Sequence, residues 1–317
     1  MKEPLFLDSI LQEKIWGGQK LHTIFGYELP AEKVGEYWAI SAHPHGVSTV
    51  RNGEFKGHKL DELWNNHREL FDNAPGKVFP LLTKILDAED YLSVQVHPDD
   101  EYALKHEGEL GKAECWYIID AQSGSEIIYG HYAKSREELA QMIHEGRWDD
   151  LLTRIPVKKG EFYYVPPGTI HAIGEGILIL ETQQSSDTTY RVYDFDRKDD
   201  SGQLRKLHIK QSIDVTTIPG VTPVLDVTKE KVGDSIITNF VKTPFFNVYE
   251  WKVAGELSFE KQASYTLASV IEGRGKLLVN QISYTLRKGE HFILPAYVEK
   301  WKLFGEMTLI VSEPPGS

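Results

Sequence analysis

The clearest indication of the fold is the segment Gly160-Glu161-Phe162-Tyr163-Tyr164-Val165-Pro166-Pro167-Gly168-Thr169-Ile170-His171. It begins with a turn glycine, continues through aromatic and β-branched side chains typical of a strand, and ends in a Pro-Pro-Gly turn. A shorter copy, Gly289-Glu290-His291-Phe292-Ile293-Leu294-Pro295, follows later. This weak internal repeat predicts two related β-structured units.

The rest of the chain agrees with that prediction. Short β-rich runs are separated by Gly and Pro, which is typical of an all-β sandwich or barrel. Helical signals are fewer, at residues 59–66, 99–107 and 135–152. The last of these begins with Ser135-Arg136-Glu137-Glu138, which has the capping-box pattern.

The two units are predicted to join in the polar segment around residues 228–236. This divides the chain into a domain at 1–232, with a small helical insertion at about 135–152, and a degenerate domain at 233–317. The second copy of the repeat has no following histidine, so no second metal site is expected there.

Composition excludes several classes of protein. The 317 residues carry a net charge of −12, which argues against a general nucleic-acid binder. A phosphorylated substrate is still compatible, because a few basic groups in a pocket suffice. No apolar run approaches a membrane span, and no signal peptide is evident. The single cysteine, Cys115, forms no intramolecular disulfide and is interpreted as a packed core thiol, so a cytoplasmic protein without membrane partners is expected.

Side chains from separate β-rich segments form a candidate metal site: Gln95, His97, Glu114 and His171. In the segment Ser93–His97, a strand period of two puts the polar side chains on one face. Lys112 shares a face with Glu114 by the same rule. An amide oxygen, two imidazoles and a carboxylate suit zinc, or else manganese or iron. The alternative for Pro166-Pro167-Gly168 is a simple β-turn, which needs no metal.

A rival histidine pair occurs in His43-Pro44-His45. No carboxylate follows at a short distance, and the flanking Pro44 and Gly46 indicate a loop. We therefore predict that these histidines lie in a loop near the pocket.

Taken together, these motifs resemble those of a known family, the type I phosphomannose isomerases, and in particular its short bacterial form. Members of this family are zinc-dependent and belong to the cupin superfamily. The repeat segment matches the second cupin motif, and the C-terminal third is supported only by the degenerate copy. The other matching segments run in the family's order: Trp16-Gly17-Gly18, Ile40-Ser41-Ala42-His43-Pro44, Leu92-Ser93-Val94-Gln95-Val96-His97-Pro98-Asp99, Lys112-Ala113-Glu114, and Glu181 with Arg191.

The resemblance implies a mainly β fold with two cupin, jelly-roll type β-barrels and a few short helices. It implies one zinc ion per chain, held by the four side chains named above, and interconversion of mannose 6-phosphate and fructose 6-phosphate. Arg191 matches the active-site arginine. Ser93 and Lys84 match the phosphate end of the pocket, and Arg197 stands where another basic residue is common.

Such an isomerisation removes a proton from C2 of the sugar and returns it to C1 through an enediol. The candidate base is Glu181, because burial at the end of an apolar strand raises a carboxyl pKa. Lys112 is the second candidate, and the alternative role for Glu181 is a structural partner of Arg191. Trp16 belongs either to the core or to the sugar-binding wall.

Two other functions remain open from the sequence. One is a different metal-dependent cupin enzyme, such as an oxygenase, and the other is a non-catalytic sugar-binding cupin. The oxygenase would use similar ligands but favour more histidines and iron, and it would not need Lys84 and Arg191 in the pocket. The binding protein has less need of both a base and a Lewis acid. The sequence leaves the oligomeric state open.

Overall fold

The computed structural model describes residues 2–199 and 201–315. The α-helices of these residues, α1 to α6, are Lys20–Phe25, Leu60–Asn66, Asp100–His106, Arg136–His144, Trp148–Leu151 and Ile209–Val215. The strands, β1 to β20, are Leu5–Asp8, Ile10–Gly18, Val34–Ile40, Thr49–Val50, Leu81–Ala88, Val94–Val96, Glu114–Ala121, Glu126–His131, Leu152–Pro156, Phe162–Val165, His171–Ile173, Ile177–Gln184, Tyr190–Tyr193, Thr228–Val232, Ser235–Lys242, Asn247–Glu260, Thr266–Val279, Ile282–Arg287, His291–Leu294 and Lys300–Glu313. The prediction of a mainly β chain with a few short helices is confirmed.

Two antiparallel sheets face each other in the first part of the chain. Their strand orders are β10-β7-β12-β5-β2-β3 and β13-β6-β11-β8-β9. Apolar side chains of both sheets meet in one buried cluster, where Trp116 and Ile179 of the first sheet join Ile127 and Ile173 of the second. Among the described residues the pairings leave both sheets open, so the predicted jelly-roll barrel takes the form of a sandwich of two open sheets.

Strand β7 illustrates how alternation separates the site from the core. Glu114 and Trp116 point between the two facing sheets, where Trp116 joins the cluster shared by both. Cys115 and Tyr117 point to the other face and pack with Phe240 from the C-terminal part. Burial raises the pKa of Cys115 well above its ordinary value, as expected of an inert core thiol.

The C-terminal part forms a third sheet, whose strand order is β14-β15-β16-β20-β17-β19-β1-β4, with β18 paired to β17. Strand β1 comes from the start of the chain, and its Leu5 lies opposite Ile293 of β19. The other half of β1 pairs with β4, where Leu7 lies opposite Val50. The division into domains at 1–232 and 233–317 stays a prediction.

The helical predictions hold for the first two segments, which form α2 and α3. The third segment forms two helices, α4 and α5, because Gly146 turns the chain between them with φ at +65°. Ser135 caps α4 by accepting a hydrogen bond from the backbone N–H of Glu138. None of the described helices combines the length and apolar character needed to cross a bilayer.

Candidate active site

A cavity of about 310 Å³ opens between the two facing sheets. The first sheet contributes Glu114 and Glu181, and the second contributes His171 and Arg191. Charged groups of both signs line it: Lys14, Lys84, Lys112, Arg191 and Arg205 with Glu36, Glu114, Glu181 and Asp187. A small cavity with this lining suits a small, polar, anionic ligand.

The deepest part of the site is a cluster of His97, Glu114 and His171, each about 1% exposed. Glu114 Oε1 lies 3.1 Å from His171 Nε2, and Glu114 Oε2 lies 3.4 Å from His97 Nε2. The three ligating atoms all lie within 4.8 Å of one another. These groups come from β7, from β11 and from the residue after β6, so the fold brings together segments that are distant in sequence.

The hydrogen bonds of the two histidines determine which nitrogen faces the carboxylate. His97 Nδ1 lies 2.9 Å from the Thr188 carbonyl, and His171 Nδ1 lies 2.8 Å from the Thr169 carbonyl. Because a carbonyl can only accept, each Nδ1 carries the proton and each Nε2 keeps its lone pair.

The cluster therefore presents two imidazole lone pairs and a carboxylate to a common point. Neither oxygen of the buried Glu114 accepts a well-formed hydrogen bond from the described residues. The Lys112 ammonium, 3.0 Å from Oε2, offsets part of the charge of this buried carboxylate, and a bound cation would stabilise it further. The residues present fit a divalent metal ion.

Gln95 completes the predicted ligand set from the neighbouring strand. It lies opposite His171 in the β6–β11 pairing, and its Nε2 is 3.4 Å from His171 Nε2. Rotation of the amide about its last side-chain bond turns the oxygen toward the cluster, where it can act as a ligand.

Lys112 approaches the same cluster from one side. Its Nζ lies 3.0 Å from Glu114 Oε2 and 3.3 Å from His97 Nε2. Burial by itself lowers the pKa of Lys112, but Glu114 and Glu181 outweigh it and raise the pKa above its ordinary value. Burial and the Lys112 charge lower the pKa of His97 to about 3, so that imidazole is neutral. A neutral imidazole is the form that binds a metal.

Glu181 faces the cavity next to the cluster. It is buried, and it accepts a hydrogen bond of 3.1 Å from the indole N–H of Trp116. Burial, together with repulsion from Glu114, raises the pKa of Glu181 to about 7. Arg191 bonds to Ser93 and to the Lys206 carbonyl rather than to Glu181. The alternative of a Glu181–Arg191 ion pair therefore receives no support from the geometry.

Two guanidinium groups, Arg191 and Arg205, lie on the cavity wall beside Ser93. Arg191 Nε donates to Ser93 Oγ over 3.3 Å, and Arg205 is held by Asp194 over 2.7 Å. Burial and the charge of Arg205 both lower the pKa of Arg191, so the two cations repel each other. An anion between them would relieve that repulsion.

Lys84 lies on another part of the wall. Its Nζ is 3.7 Å from Glu36 Oε2 and 4.4 Å from the centre of the Trp38 ring. Burial raises the pKa of Glu36, but Lys84 and Lys14 outweigh it and lower the pKa, so Glu36 is ionised. Trp16 both lines the cavity and belongs to the apolar cluster, which is consistent with each of its predicted roles.

Arg197 is a predicted site residue that is not part of the cavity lining. Its guanidinium donates hydrogen bonds to Asp194 over 2.7 Å, to Asp90 over 3.2 Å and to the Tyr91 carbonyl over 2.6 Å. Arg205 was not predicted from the sequence, because it lies in a segment with no strand period or motif to single it out.

Other cavity residues missed by the sequence analysis are Lys14, Glu36 and Asp187. Asp187 connects the cavity to the predicted histidine loop, since His45 Nδ1 lies 2.9 Å from its carboxylate. His43 and His45 lie in a turn outside the strands, as predicted.

The chain is similar to known proteins over almost its whole length. The catalytic-domain model of type I phosphomannose isomerase matches residues 5–120, and the cupin-domain model of mannose-6-phosphate isomerase matches residues 236–314. The chain is 59% identical to a mannose-6-phosphate isomerase of Streptococcus mutans, over 98% of both chains. It is 52% identical to one of Bacillus subtilis, again over 98% of both. A crystal structure of mannose 6-phosphate isomerase from Bacillus subtilis superposes with a TM-score of 0.96 at 51% identity, covering 98% of this chain and 99% of that one. The predicted cupin architecture is thereby confirmed.

Proposed function

The chain belongs to the type I phosphomannose isomerases, and on this premise we propose that it interconverts mannose 6-phosphate and fructose 6-phosphate with one zinc ion per chain. The observation that carries the proposal is the cluster of His97, Glu114 and His171 at the bottom of a charged cavity. The proposed substrate is a small sugar phosphate. No nucleic acid or membrane partner is proposed, and the proposed compartment is the cytoplasm.

Zinc is proposed because its usual ligands are imidazole nitrogens and carboxylate oxygens. His97, Glu114 and His171 would hold it, with the Gln95 amide oxygen as a fourth ligand. When bound, the ion supplies a Lewis acid that stabilises negative charge on the sugar oxygens. The donor set supports a borderline divalent ion, and the preference for zinc comes from the family.

The proposed base is Glu181, which would take the proton from C2 and return it to C1 by way of the enediol. A carboxyl group with a pKa of about 7 is suited to exchange a proton in both directions near neutral pH. Lys112 is kept protonated by its two carboxylate neighbours, which makes it a poorer base and a better stabiliser of a developing oxyanion.

The phosphate is proposed to bind where Arg191, Arg205 and the Ser93 hydroxyl meet the cavity. Charge-assisted hydrogen bonds from paired guanidinium groups hold a phosphate in a fixed orientation. Lys84 and Trp16 are proposed to contact the sugar phosphate from other parts of the wall. Arg197 is proposed to act indirectly, because it shares Asp194 with Arg205.

A coupled assay for fructose 6-phosphate formed from mannose 6-phosphate tests the proposal. We expect turnover in the purified protein, loss of turnover on addition of a chelator, and recovery on addition of zinc. Full turnover in a metal-stripped sample would contradict the metal site. Oxygen consumption without isomerisation would favour a different cupin enzyme, and sugar phosphate binding without turnover would favour a non-catalytic one.

A further inference from the structure

The carboxylate of Glu109, in the loop between α3 and β7, gathers several donors from one short segment. Its Oε2 accepts from the Asp187 backbone N–H at 3.2 Å, from Ser186 Oγ at 3.2 Å and from Thr188 Oγ1 at 3.0 Å. Its Oε1 lies 3.5 Å from His43 Nε2. Burial raises the pKa of Glu109, but these donors outweigh it and lower the pKa, so the group is ionised.

The segment that Glu109 holds, residues 186–188, is connected to the metal cluster and to the cavity. The Thr188 carbonyl receives the Nδ1–H of His97 at 2.9 Å, which is the contact that keeps the lone pair of His97 on Nε2. Asp187 lies on the cavity wall, as does the following Thr189. A shift of this segment would therefore move a contact of His97 and part of the substrate-binding wall together.

Apart from Glu109, the segment is held at Ser186 by its own neighbours: Gln183 Nε2 donates to the Ser186 carbonyl over 2.7 Å, and the Ser186 N–H donates to the Gln184 carbonyl over 2.8 Å. The segment lies between β12 and β13, and no hydrogen bond between backbone groups holds residues 187–189 within the part of the chain described by the structure. The Thr188 N–H bonds to Ser186 Oγ, which itself bonds to Glu109. Asp187 also contacts the exposed His45 at the surface, and the Thr188 carbonyl bonds to His97. The Glu109 carboxylate is therefore the group that ties residues 186, 187 and 188 together from outside the segment.

We propose that Glu109 is a positioning residue: it clamps residues 186–188 so that the Thr188 carbonyl orients His97 for metal binding. The inference rests on the proposed metal site but adds a residue that does not line the cavity. Partners that orient a metal-binding histidine typically affect metal affinity or activity by about 10- to 100-fold.

The test compares Glu109→Ala and Glu109→Gln with a matched control, Glu101→Ala, an exposed position on α3. The readouts in the full-length protein are zinc affinity by chelator competition, hydrogen exchange at the Asp187 amide in metal-free protein, and the separate values of kcat and KM. For Glu109→Ala we expect about tenfold weaker zinc binding or more, faster exchange at Asp187, and a lower kcat. Glu109→Gln keeps one acceptor oxygen and should fall between the alanine variant and the wild type.

Unchanged zinc affinity and unchanged Asp187 exchange in Glu109→Ala would overturn the inference. If that variant does not fold, the same comparison in Glu109→Gln decides, and wild-type behaviour there would also overturn it. A wild-type protein that binds zinc without isomerising mannose 6-phosphate would remove the proposed function instead. The clamp would then still be tested by zinc affinity and amide exchange.

Discussion

His171 and His291 are both buried histidines on short strands, one in each half of the chain. Both nitrogens of His291 have partners inside the protein: Nδ1 lies 2.8 Å from Ser269 Oγ, and Nε2 lies 2.9 Å from Tyr27 Oη. The hydroxyl of Tyr27 donates onward to the Gly289 carbonyl at 3.1 Å. His291 is therefore satisfied within a neutral network, and burial lowers its pKa to about 3.

His171 Nδ1 has such a partner, but its Nε2 faces the Glu114 carboxylate at 3.1 Å and the side-chain amide of Gln95 at 3.4 Å. The comparison indicates that burial and strand context do not distinguish a structural histidine from a metal ligand. The distinction lies in the surroundings of Nε2. In His291 this nitrogen contacts a tyrosine hydroxyl, whereas in His171 it faces a buried carboxylate.

The largest effect should come from His171→Ala. Removing one ligand should release the metal and lower kcat/KM by about 10³-fold or more, since metal stabilisation of the reacting oxygens is worth several kcal/mol. Metal analysis and the coupled assay measure both quantities. Stoichiometric zinc in this variant would contradict the assignment of His171 as a metal ligand, and His171 would then be structural like His291.

The next largest effect is expected for Glu181→Gln, at about 10²- to 10⁴-fold in kcat. A base acts in its ionised form, so kcat/KM of the wild type should fall as the pH drops through the pKa of about 7. A bound cation would move this midpoint to lower pH by favouring the carboxylate. Glu181→Gln should lose this acidic limb, and an unchanged pH profile in the variant would assign the base elsewhere.

A similar contrast applies to two arginines: Arg205 faces the cavity, whereas the terminal nitrogens of Arg197 bond to groups within the protein. Arg205→Ala should raise KM for mannose 6-phosphate by about 10- to 100-fold, because a charge-assisted hydrogen bond is worth about 1.5–3 kcal/mol. Arg197→Ala should have a smaller effect, through the shared Asp194. Steady-state kinetics of both variants test this. A larger increase in KM for Arg197→Ala than for Arg205→Ala would assign the phosphate contact to Arg197.

The smallest effect on activity is expected for His291→Ala. The change removes the hydrogen bonds that the imidazole makes with Ser269 and Tyr27 and should lower the free energy of unfolding by about 1–3 kcal/mol, while zinc content and kcat/KM stay the same. Thermal unfolding and the coupled assay, run on the same preparation, measure the two effects. Loss of zinc from this variant would mean that the two halves are more strongly coupled than their hydrogen bonds indicate.

Local patterns predicted much of this structure. The strand period of two places Glu114 on the cavity side and Cys115 in the core, and the cap at Ser135 begins a helix as predicted. These features depend on neighbouring residues, so a single sequence contains the necessary information.

Features that depend on distant residues were not predictable in this way. Arg205 reaches the cavity from an irregular segment, and Arg197 is diverted from it by Asp90 and Asp194. Both outcomes follow from tertiary contacts that no local period encodes. The open edges of the two facing sheets likewise depend on long-range pairing.

The pairing of β1 with β19 has a consequence for how the protein is made. Residues 5–8 are synthesised long before their partner strand, residues 291–294. Strand β1 therefore remains half-paired until β19 has been made, and its free edge is exposed to unwanted association in that interval. Once β19 is in place, the two strands lie side by side in one sheet, and β1 cannot detach without exposing an edge of β19.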